Sequence, residues 1–424
     1  MLPLDLVAPA RHSLARATWG LLVGVGLVLL SGGLFSTLLG VRGELEGLPT
    51  VVSGALTTAY YAGFLLGSWF ALRALVSVGH IRVLASLTAL LAAAVLLIGL
   101  FESPIGWIAM RLVTGLCFAG VYVVAESWLN GLASNANRGR LLAVYSVIVA
   151  AAFGSGQLLV FDLDATALTG YAIAGIIATL AVVPVALSEQ ATVPAVERHA
   201  TMSMRDLART VPTGAGANLL IGLAHGALIG MTAVYATREG LSVGRTGLLL
   251  AAIQLGGMLM TFPVSAASDD IDRRVIGVVC ASLVMGTAGL MLLTEPTSAL
   301  AIGLMAVIGA FSNPLYSIAS AYTADWLDPE QLSAAASMLV TLYGVGAMVG
   351  PIAAAGFMDV LGAEGYIWSI IVLHGVLVVF FIYRIRAWHA PLTRRPWSEV
   401  SVPARAFFVP ATIVSMGVAR RRHR

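Results

Sequence analysis

The chain has 424 residues, of which 59% are hydrophobic and only 11% are charged, and its mean hydropathy is +0.92. A soluble protein carries about 25% charged residues, so this composition excludes a chain of soluble domains and predicts a polytopic membrane protein. The formal net charge of +3 indicates little by itself, because the distribution of the charges along the chain matters more.

Twelve apolar runs are long enough to cross a membrane, which takes about 20 helical residues. In chain order they are 19–40, 50–73, 81–101, 104–130, 141–161, 168–188, 213–236, 244–266, 274–294, 297–324, 331–357 and 363–386. The first run follows two arginines without a small-residue cleavage site, so we expect a retained span rather than a signal peptide. No alternation of polar and apolar residues indicates a barrel. The sequence predicts an all-α membrane protein with twelve transmembrane helices.

The arginines predict the orientation of these spans. With an even number of spans, both termini lie on one side of the membrane. Only Arg42, Arg238 and Arg245 fall on the other side, Arg111 lies inside a span, and the remaining arginines fall on the side of the termini. By the positive-inside rule, we expect both termini to be cytoplasmic.

The longest internal polar stretch, 189–212, separates six spans from six. We therefore expect an N-terminal half (1–188), a cytoplasmic linker (189–212), a C-terminal half (213–386) and a basic cytoplasmic tail (387–424). The halves repeat, because the fourth span ends with AESWL and the tenth with TADWL. A parallel repeat with a long middle loop is typical of two transporter halves related by an axis along the membrane normal.

Several longer motifs are more specific. They are GELEGLPTVVSGALTTAYYAGFLLGS (43–68), VGHIRV (78–83), RLVTGLCFAGVYVVAESWLN (111–130), RGRLLAVY (138–145), GSGQLL (154–159), SDDIDRR (268–274), NPLYSIASAYTADWLDPEQLSAA (313–335) and YGVGAMVGP (343–351). Through them the chain resembles the major facilitator superfamily (MFS), and more narrowly its bacterial YcaD-like branch.

The resemblance implies a secondary transporter of the bacterial inner membrane that works by alternating access. Its expected partners are a small-molecule solute, protons and the lipid bilayer, and we expect a monomer. The chain departs from the superfamily's motifs at some positions. The first copy of the superfamily's cytoplasmic loop motif keeps Gly79 and Arg82 without a preceding aspartate, whereas the second keeps Asp269, Arg273 and Arg274.

Arg111 is the clearest candidate for chemistry. It lies about seven residues into the fourth span, or roughly 10 Å below the end of the helix. An ionisable residue inside a span is costly and usually faces the interior of the bundle. Its position matches the superfamily's fourth-span arginine, which implies binding of a substrate anion or control of a proton site. The alternative is a structural arginine that is hydrogen-bonded to helix carbonyl groups.

Glu126 lies about 22 Å along the same helix from Arg111, so the two side chains cannot pair. One interpretation is a carboxyl group that carries a coupling proton. The other, which we favour, is an ion-pair cluster that holds the cytoplasmic ends together, because Asp325 repeats the position in the tenth span. The predicted cytoplasmic gate comprises Glu126, Arg138, Arg140, Arg73, Gly79, Arg82, Asp269, Arg273, Arg274 and Asp325.

The other candidates are polar residues at mid-depth, on helices that line the cavity in the resembled superfamily. The predicted substrate or coupling residues are Arg111, His225, Asn313, Tyr316, Asn218, Gln157 and Tyr122. His225 suits proton handling, although it could equally be a packing histidine among glycines. The Asn313-Pro314 pair is expected to interrupt the tenth helix, as binding sites in transporters often do.

The sequence contains no Walker loop, no HExxH motif and no nucleophile elbow. It therefore predicts neither an enzyme nor a nucleic-acid-binding protein, and no cofactor or metal. The leading hypothesis is a proton-coupled secondary transporter. The alternative is a non-transporting membrane sensor or scaffold on the same fold.

Overall fold

A computed structural model describes residues 11–133, 138–188 and 203–389 of the chain, and these are helical apart from short connections. The spanning helices are α1 (Arg11–Leu45), α2 (Thr50–Val78), α3 (His80–Leu100), α4 (Pro104–Leu132), α5 (Arg138–Leu158), α6 (Leu168–Leu180, continued by Val182–Ala186), α7 (Pro212–Arg238), α8 (Val243–Asp270), α9 (Arg273–Met291), α10 (Ala299–Ser312, continued by Pro314–Ala324), α11 (Leu332–Leu361) and α12 (Gly365–Ala387). A short helix, Met204–Thr210, precedes α7.

The twelve predicted spans are confirmed within the described residues. Ten apolar helical stretches are long enough to cross a membrane; one of them, Ala334–Ala387, covers both α11 and α12, and α5 adds the shorter apolar stretch Val144–Leu158. Several helices run past their predicted ends. For example, α2 continues to Val78, where Gly79 adopts a φ of +86° that stops the helix.

The sequence sets where helices start and where they are interrupted. Ser103, Ser242 and Ser298 precede α4, α8 and α10, and each hydroxyl accepts a hydrogen bond from a backbone N–H in the first turn. Prolines explain the two interrupted helices. Pro184 in α6 and Pro314 in α10 lack the N–H that would continue the helical ladder, and a short break precedes each of them.

Two hydrophobic cores underlie the architecture, one built mainly from α1–α6 and the other from α7–α12. Glycines bring equivalent helix pairs together in both. A Cβ added to Gly33 on α1 would lie 2.0 Å from the carbonyl oxygen of Phe153 on α5, and one added to Gly222 on α7 would lie 2.0 Å from that of Tyr343 on α11. Only glycine permits such close backbone approach between membrane helices. The repeat seen in the sequence therefore recurs as a repeated packing device.

We call the face at which α1 begins and α12 ends the terminal face, and the opposite one the far face. The two halves contact each other from the far face to about mid-depth. The Thr58 hydroxyl on α2 donates to the carbonyl oxygen of Met348 on α11 at 2.6 Å. At the far face, Glu44 on α1 pairs with Arg238 on α7. This arrangement joins the halves at the far face and leaves a cavity between them.

Candidate functional site

A cavity of about 90 Å³ lies between the two halves, lined by α1, α2, α4, α5, α7 and α8. A single water needs about 10–15 Å³, so the cavity has room for several waters or a small solute. Most of its lining is apolar or aromatic. Its polar side chains are Ser36, Thr37, Ser53, Thr57, Tyr60, Tyr61, Arg111 and Gln157.

Arg111 supplies the charge of this cavity. Its side chain is almost fully buried, at 8% exposure, and its Nε donates a hydrogen bond of 3.4 Å to the carbonyl oxygen of Leu56. The guanidinium carbon lies 4.6 Å from the ring centre of Tyr60 and 5.4 Å from that of Phe35. These contacts are cation–π interactions, which offset part of the cost of burying the charge.

The guanidinium of Arg111 is nevertheless incompletely satisfied. Its Nη1 has no hydrogen-bond partner, and no carboxylate pairs with it, in the part of the chain that the structure describes. A buried charge without a counter-charge is costly unless something compensates it. Among the described residues, the cation–π contacts and one backbone hydrogen bond are therefore what offsets the burial of this charge.

Two further polar atoms of the lining lack partners among the described residues. They are the Oε1 atom of Gln157, which is 3% exposed, and the Oγ atom of Ser53, which is 5% exposed. Sequence reasoning singled out Gln157 but missed Ser53, which directly precedes the GALTTAYY stretch of the second span. The cavity thus contains one guanidinium nitrogen, one amide oxygen and one serine hydroxyl that have no hydrogen-bond partner among the described residues.

The other predicted substrate residues do not line this cavity. Asn218 donates to the carbonyl oxygen of Gly214 in its own helix at 2.8 Å, and Asn313 donates to the carbonyl oxygen of Ile253 at 3.4 Å. Tyr122 is buried at 1% exposure, about 16 Å further along α4 than Arg111. Each of these side chains lies where neighbouring helices pack.

The predicted interruption of the tenth helix is present at Asn313. However, Asn313 itself keeps helical dihedral angles, with φ −61° and ψ −40°, so the chain is interrupted without being unwound. The carbonyl oxygen of Ser312 accepts a hydrogen bond of 2.9 Å from Nε2 of His225. Tyr316, one turn further on, packs edge-to-face against Tyr343 with ring centres 5.4 Å apart.

Part of the predicted gate forms a cluster at the terminal face of the C-terminal half. Nε of Arg273 lies 2.8 Å from an Asp325 oxygen, and Nη2 lies 3.2 Å from an Asp269 oxygen. The side chains of Arg273 and Asp325 are 1% and 0% exposed. Arg274 lies apart from this cluster, since it binds Asp272 and the carbonyl oxygens of Arg384 and Trp388.

The predicted gate residues of the N-terminal half are arranged differently. The guanidinium of Arg73 stacks on Trp69 of its own helix at 3.4 Å, and Arg82 is exposed. Glu126 is half-buried near the end of α4. The side chains of the remaining two predicted members, Arg138 and Arg140, lie outside the described residues. The first loop motif lacks the aspartate, and the described residues of this half contain no equivalent of the Asp269–Arg273 pair.

The far face carries an ion pair that sequence reasoning missed. Nε of Arg238 donates to Oε1 of Glu44 at 2.7 Å, and its Nη2 donates to the hydroxyl of Thr50 at 2.7 Å. The side chains of Arg238 and Glu44 are 23% and 17% exposed. A signal was available, because Arg238 is one of only three arginines predicted on that side and Glu44 is the first acidic residue of the GELEG motif.

Known proteins are similar to this chain in sequence. The sequence profile described as Major Facilitator Superfamily matches residues 214–423. The uncharacterized MFS-type transporter YcaD of Salmonella paratyphi B is 29% identical over 349 residues, covering 80% of this chain and 88% of the relative. YcaD of Escherichia fergusonii is 28% identical over 340 residues, covering 78% and 86%.

Solved structures share the fold. The nucleoside transporter NupG superposes with a TM-score of 0.69 at 12% identity, covering 87% of this chain and 98% of that one. A bacterial homolog of the human lysosomal transporter Spinster, in an inward-facing and occupied conformation, superposes with a TM-score of 0.72 at 14% identity, covering 89% and 98%. At such low identity these similarities concern the fold alone.

Proposed function

We propose that this chain is a transporter of the major facilitator superfamily, distantly related to YcaD, and that it moves a small anionic solute across the bacterial cell membrane by alternating access. The observation that carries this proposal is Arg111. A buried guanidinium that lines a cavity and has an unpartnered nitrogen attracts a solute whose own negative charge replaces the missing counter-ion.

The lining of the cavity narrows the class of solute. Around Arg111 lie the rings of Tyr60 and Phe35, and the amide of Gln157 lies on another wall. Binding sites of this kind are mostly apolar, with a few polar groups that fix the orientation of the ligand. We propose a compact organic anion, whose charged group meets Arg111 and whose apolar part packs on the aromatic rings.

Two halves with separate cores support a rocking mechanism. In the structure they are held together at the far face, where Glu44 and Arg238 pair across the halves. Alternating access then requires this pair to break while the terminal face closes. We place the terminal face in the cytoplasm, since the positive-inside rule favours that side for most of the arginines.

We propose that a proton gradient supplies the energy for transport. The sequence has no nucleotide-binding loop, so the energy comes from a gradient. Acidic side chains are scarce at membrane depth, and Glu126 and Asp325 lie at the terminal ends of their helices. This scarcity favours protons over a sodium site built from several carboxylates.

A ligand screen tests the charge requirement. The purified protein in detergent is heated with pairs of compounds that share one skeleton, one a carboxylate and the other its neutral amide. We expect stabilisation by carboxylates only. A hydrogen bond to a charged group contributes about 1.5–3 kcal/mol, so Arg111→Gln should weaken binding about tenfold to a hundredfold.

The matched control is Arg386→Gln, which removes an exposed arginine from the last turn of α12. It should bind like the wild type. Any hit is then tested for counterflow in proteoliposomes with and without an imposed pH gradient. Equal stabilisation by acids and amides, or wild-type affinity in Arg111→Gln, would refute the anion site. Absence of counterflow for every bound compound would favour a sensor on the same fold.

A further inference from the structure

We propose that His225 is the proton-accepting side chain of this transporter, and that Tyr343 connects its protonation to the contact between the two halves. This inference rests on the proposed proton-coupled transport and names the residue that would carry the proton. His225 lies at the middle of α7, about 20 Å from either end of the helix, so it is at mid-membrane depth. It is 3% exposed.

The hydrogen bonds of His225 define its neutral state. Nε2 lies 2.9 Å from the carbonyl oxygen of Ser312, which can only accept, so Nε2 carries the hydrogen. Nδ1 lies 3.2 Å from the hydroxyl of Tyr343. In a neutral imidazole the other nitrogen is then an acceptor, so Nδ1 receives the hydrogen bond from Tyr343. The lone pair on Nδ1 is therefore the atom that a proton would occupy.

Protonation changes the direction of one hydrogen bond and preserves the other. A proton from water binds Nδ1, so both ring nitrogens become donors. Nε2 still donates to Ser312, whereas Nδ1 now donates to the Tyr343 oxygen. The Tyr343 hydroxyl hydrogen must then turn away from His225 and find another acceptor. A single proton thus reverses the hydrogen bond between His225 and Tyr343 and turns the Tyr343 hydroxyl toward a different acceptor.

Tyr343 is placed where such a change reaches the other half. It lies on α11, packs against the hydrophobic cores of both halves, and is only partly buried. α11 is a helix of the C-terminal half that contacts α2, for example through the hydrogen bond from Thr58 to Met348. Tyr60 and Tyr61 of α2 lie near Tyr343, and Tyr60 in turn stacks on Arg111. Tyr343 therefore bonds to the histidine and interacts electrostatically with Tyr60, the ring on which Arg111 stacks.

The titratable groups around His225 are few in the described part of the chain. Tyr343 of α11 bonds to it directly, Tyr316 of α10 packs on Tyr343, and His374 of α12 bonds to the Ser312 hydroxyl at 3.0 Å. From α2, only Tyr60 and Tyr61 come near, behind Tyr343. The charged groups that α1 and α8 carry, such as Glu44 and Asp269, lie at the helix ends.

His374 provides a matched comparison within the same network. Its Nδ1 donates to the carbonyl oxygen of Ile370 in its own helix at 2.9 Å, so its Nε2 accepts from the Ser312 hydroxyl. It is 0% exposed, and both of its ring nitrogens bond within the C-terminal half. His374 resembles His225 in burial and chemistry but does not contact Tyr343. Its protonation therefore has no direct route to the contact between the halves.

The first test measures the protonation of the histidine rings directly and needs no solute. The full-length chain is labelled with nitrogen-15 at its histidines, reconstituted in lipid nanodiscs, and followed by NMR as the pH is lowered. We expect one buried ring to change from the Nε2–H tautomer to the doubly protonated form. This signal should be absent in His225→Gln and unchanged in His374→Asn.

The second test measures the consequence. Spin labels at Ile105 and Leu293, which are exposed at the far face of different halves, report the distance between the halves across the same pH range. The distance should change with the midpoint of the histidine signal in the wild type and in His374→Asn. His225→Gln should abolish the change, and Tyr343→Phe should uncouple it from the histidine signal.

A His225 ring that stays neutral while the distance changes would overturn the proposal, as would a pH response that survives in His225→Gln. Because both measurements are made without a solute, their outcome does not depend on the anion site. Failure of every solute to bind would refute the proposed function and leave the histidine result standing. Conversely, an unresponsive His225 in a protein that transports an anion would refute this inference alone.

Discussion

The ion pair between Glu44 and Arg238 determines how firmly the two halves are held at the far face. We expect Glu44→Gln to shift the access equilibrium toward the state that is open at this face. The pair joins α1 of one half to α7 of the other, so it exists only while the far face is closed. The glutamine keeps the size of the side chain and removes its charge.

The structure allows the size of this shift to be worked out. The two side chains are 17% and 23% exposed, and their closest atoms are 2.7 Å apart. Exposed ion pairs contribute about 0–1 kcal/mol, and breaking a buried pair costs about 3–5 kcal/mol. Arg238 also keeps its hydrogen bond to Thr50 in the variant. We therefore expect about 1–2 kcal/mol, or a shift of about 5- to 30-fold in the equilibrium.

Spin-label distances between Ile105 and Leu293 measure the equilibrium, after the native cysteines, Cys117 and Cys280, are replaced by serine or left unlabelled as buried thiols. The matched control is Glu295→Gln, which removes an exposed carboxylate from the same face. It should leave the distance distribution unchanged. Identical distributions for the wild type and Glu44→Gln would refute the reasoning, as would an equal shift in the control.

Three further variants test the packing and the charges. Gly63→Val should lower the free energy of unfolding by about 1–3 kcal/mol or more, and with it the thermal midpoint, because a Cβ at this position would lie 1.9 Å from the carbonyl oxygen of Leu112 and force α2 from α4. Asp325→Asn should lower the free energy of unfolding, by less than the roughly 3–5 kcal/mol of an unpaired buried charge, because Arg273 loses its buried partner but keeps Asp269. Glu239→Gln should raise the thermal midpoint at neutral and alkaline pH, with no gain in acid. Burial raises the pKa of Glu239, so folding favours the protonated form and the folded state loses stability as the pH rises through that pKa.

Each of these variants has its own comparison. Gly303→Val places a side chain in open space and should be tolerated, so equal losses at both glycines would contradict the close approach of the helices. Asp328→Asn alters an exposed carboxylate of the same region and should be neutral. For Glu239, the nearby Glu364 adds to the rise in pKa, so Glu364→Gln should reproduce part of the gain. A gain that is independent of pH would contradict the assignment to this carboxyl group.

The cavity shows how much of the site a sequence can predict. Arg111 and Gln157 were predicted from their depth, and both line the cavity. Asn218 and Asn313 were predicted by the same argument, yet their amide groups bond to helix backbone. Depth follows from position along a span, whereas the direction of a side chain depends on how the helix is rotated. The sequence alone does not fix that rotation.

The charged residues at the two faces also separate what the local sequence predicts from what the packing of the helices decides. The loop motif of the second half predicted that Asp269 and Arg273 act together, and they pair one turn apart. The sequence places Glu44 and Arg238 on the same side of the membrane, but their pairing across 194 residues does not follow from that. Such a contact depends on how the two halves pack at the far face.

The sequence by itself determined the twelve helices, their repeated order and the membrane depth of each polar residue. These properties are local, because about 20 consecutive apolar residues satisfy the backbone and cross the bilayer as one helix. Only the tertiary structure decided which polar atoms are left without partners. Arg111 is a candidate anion site because Tyr60, Phe35 and Leu56 surround it without supplying a carboxylate. That environment is assembled from three helices, and their packing specifies it.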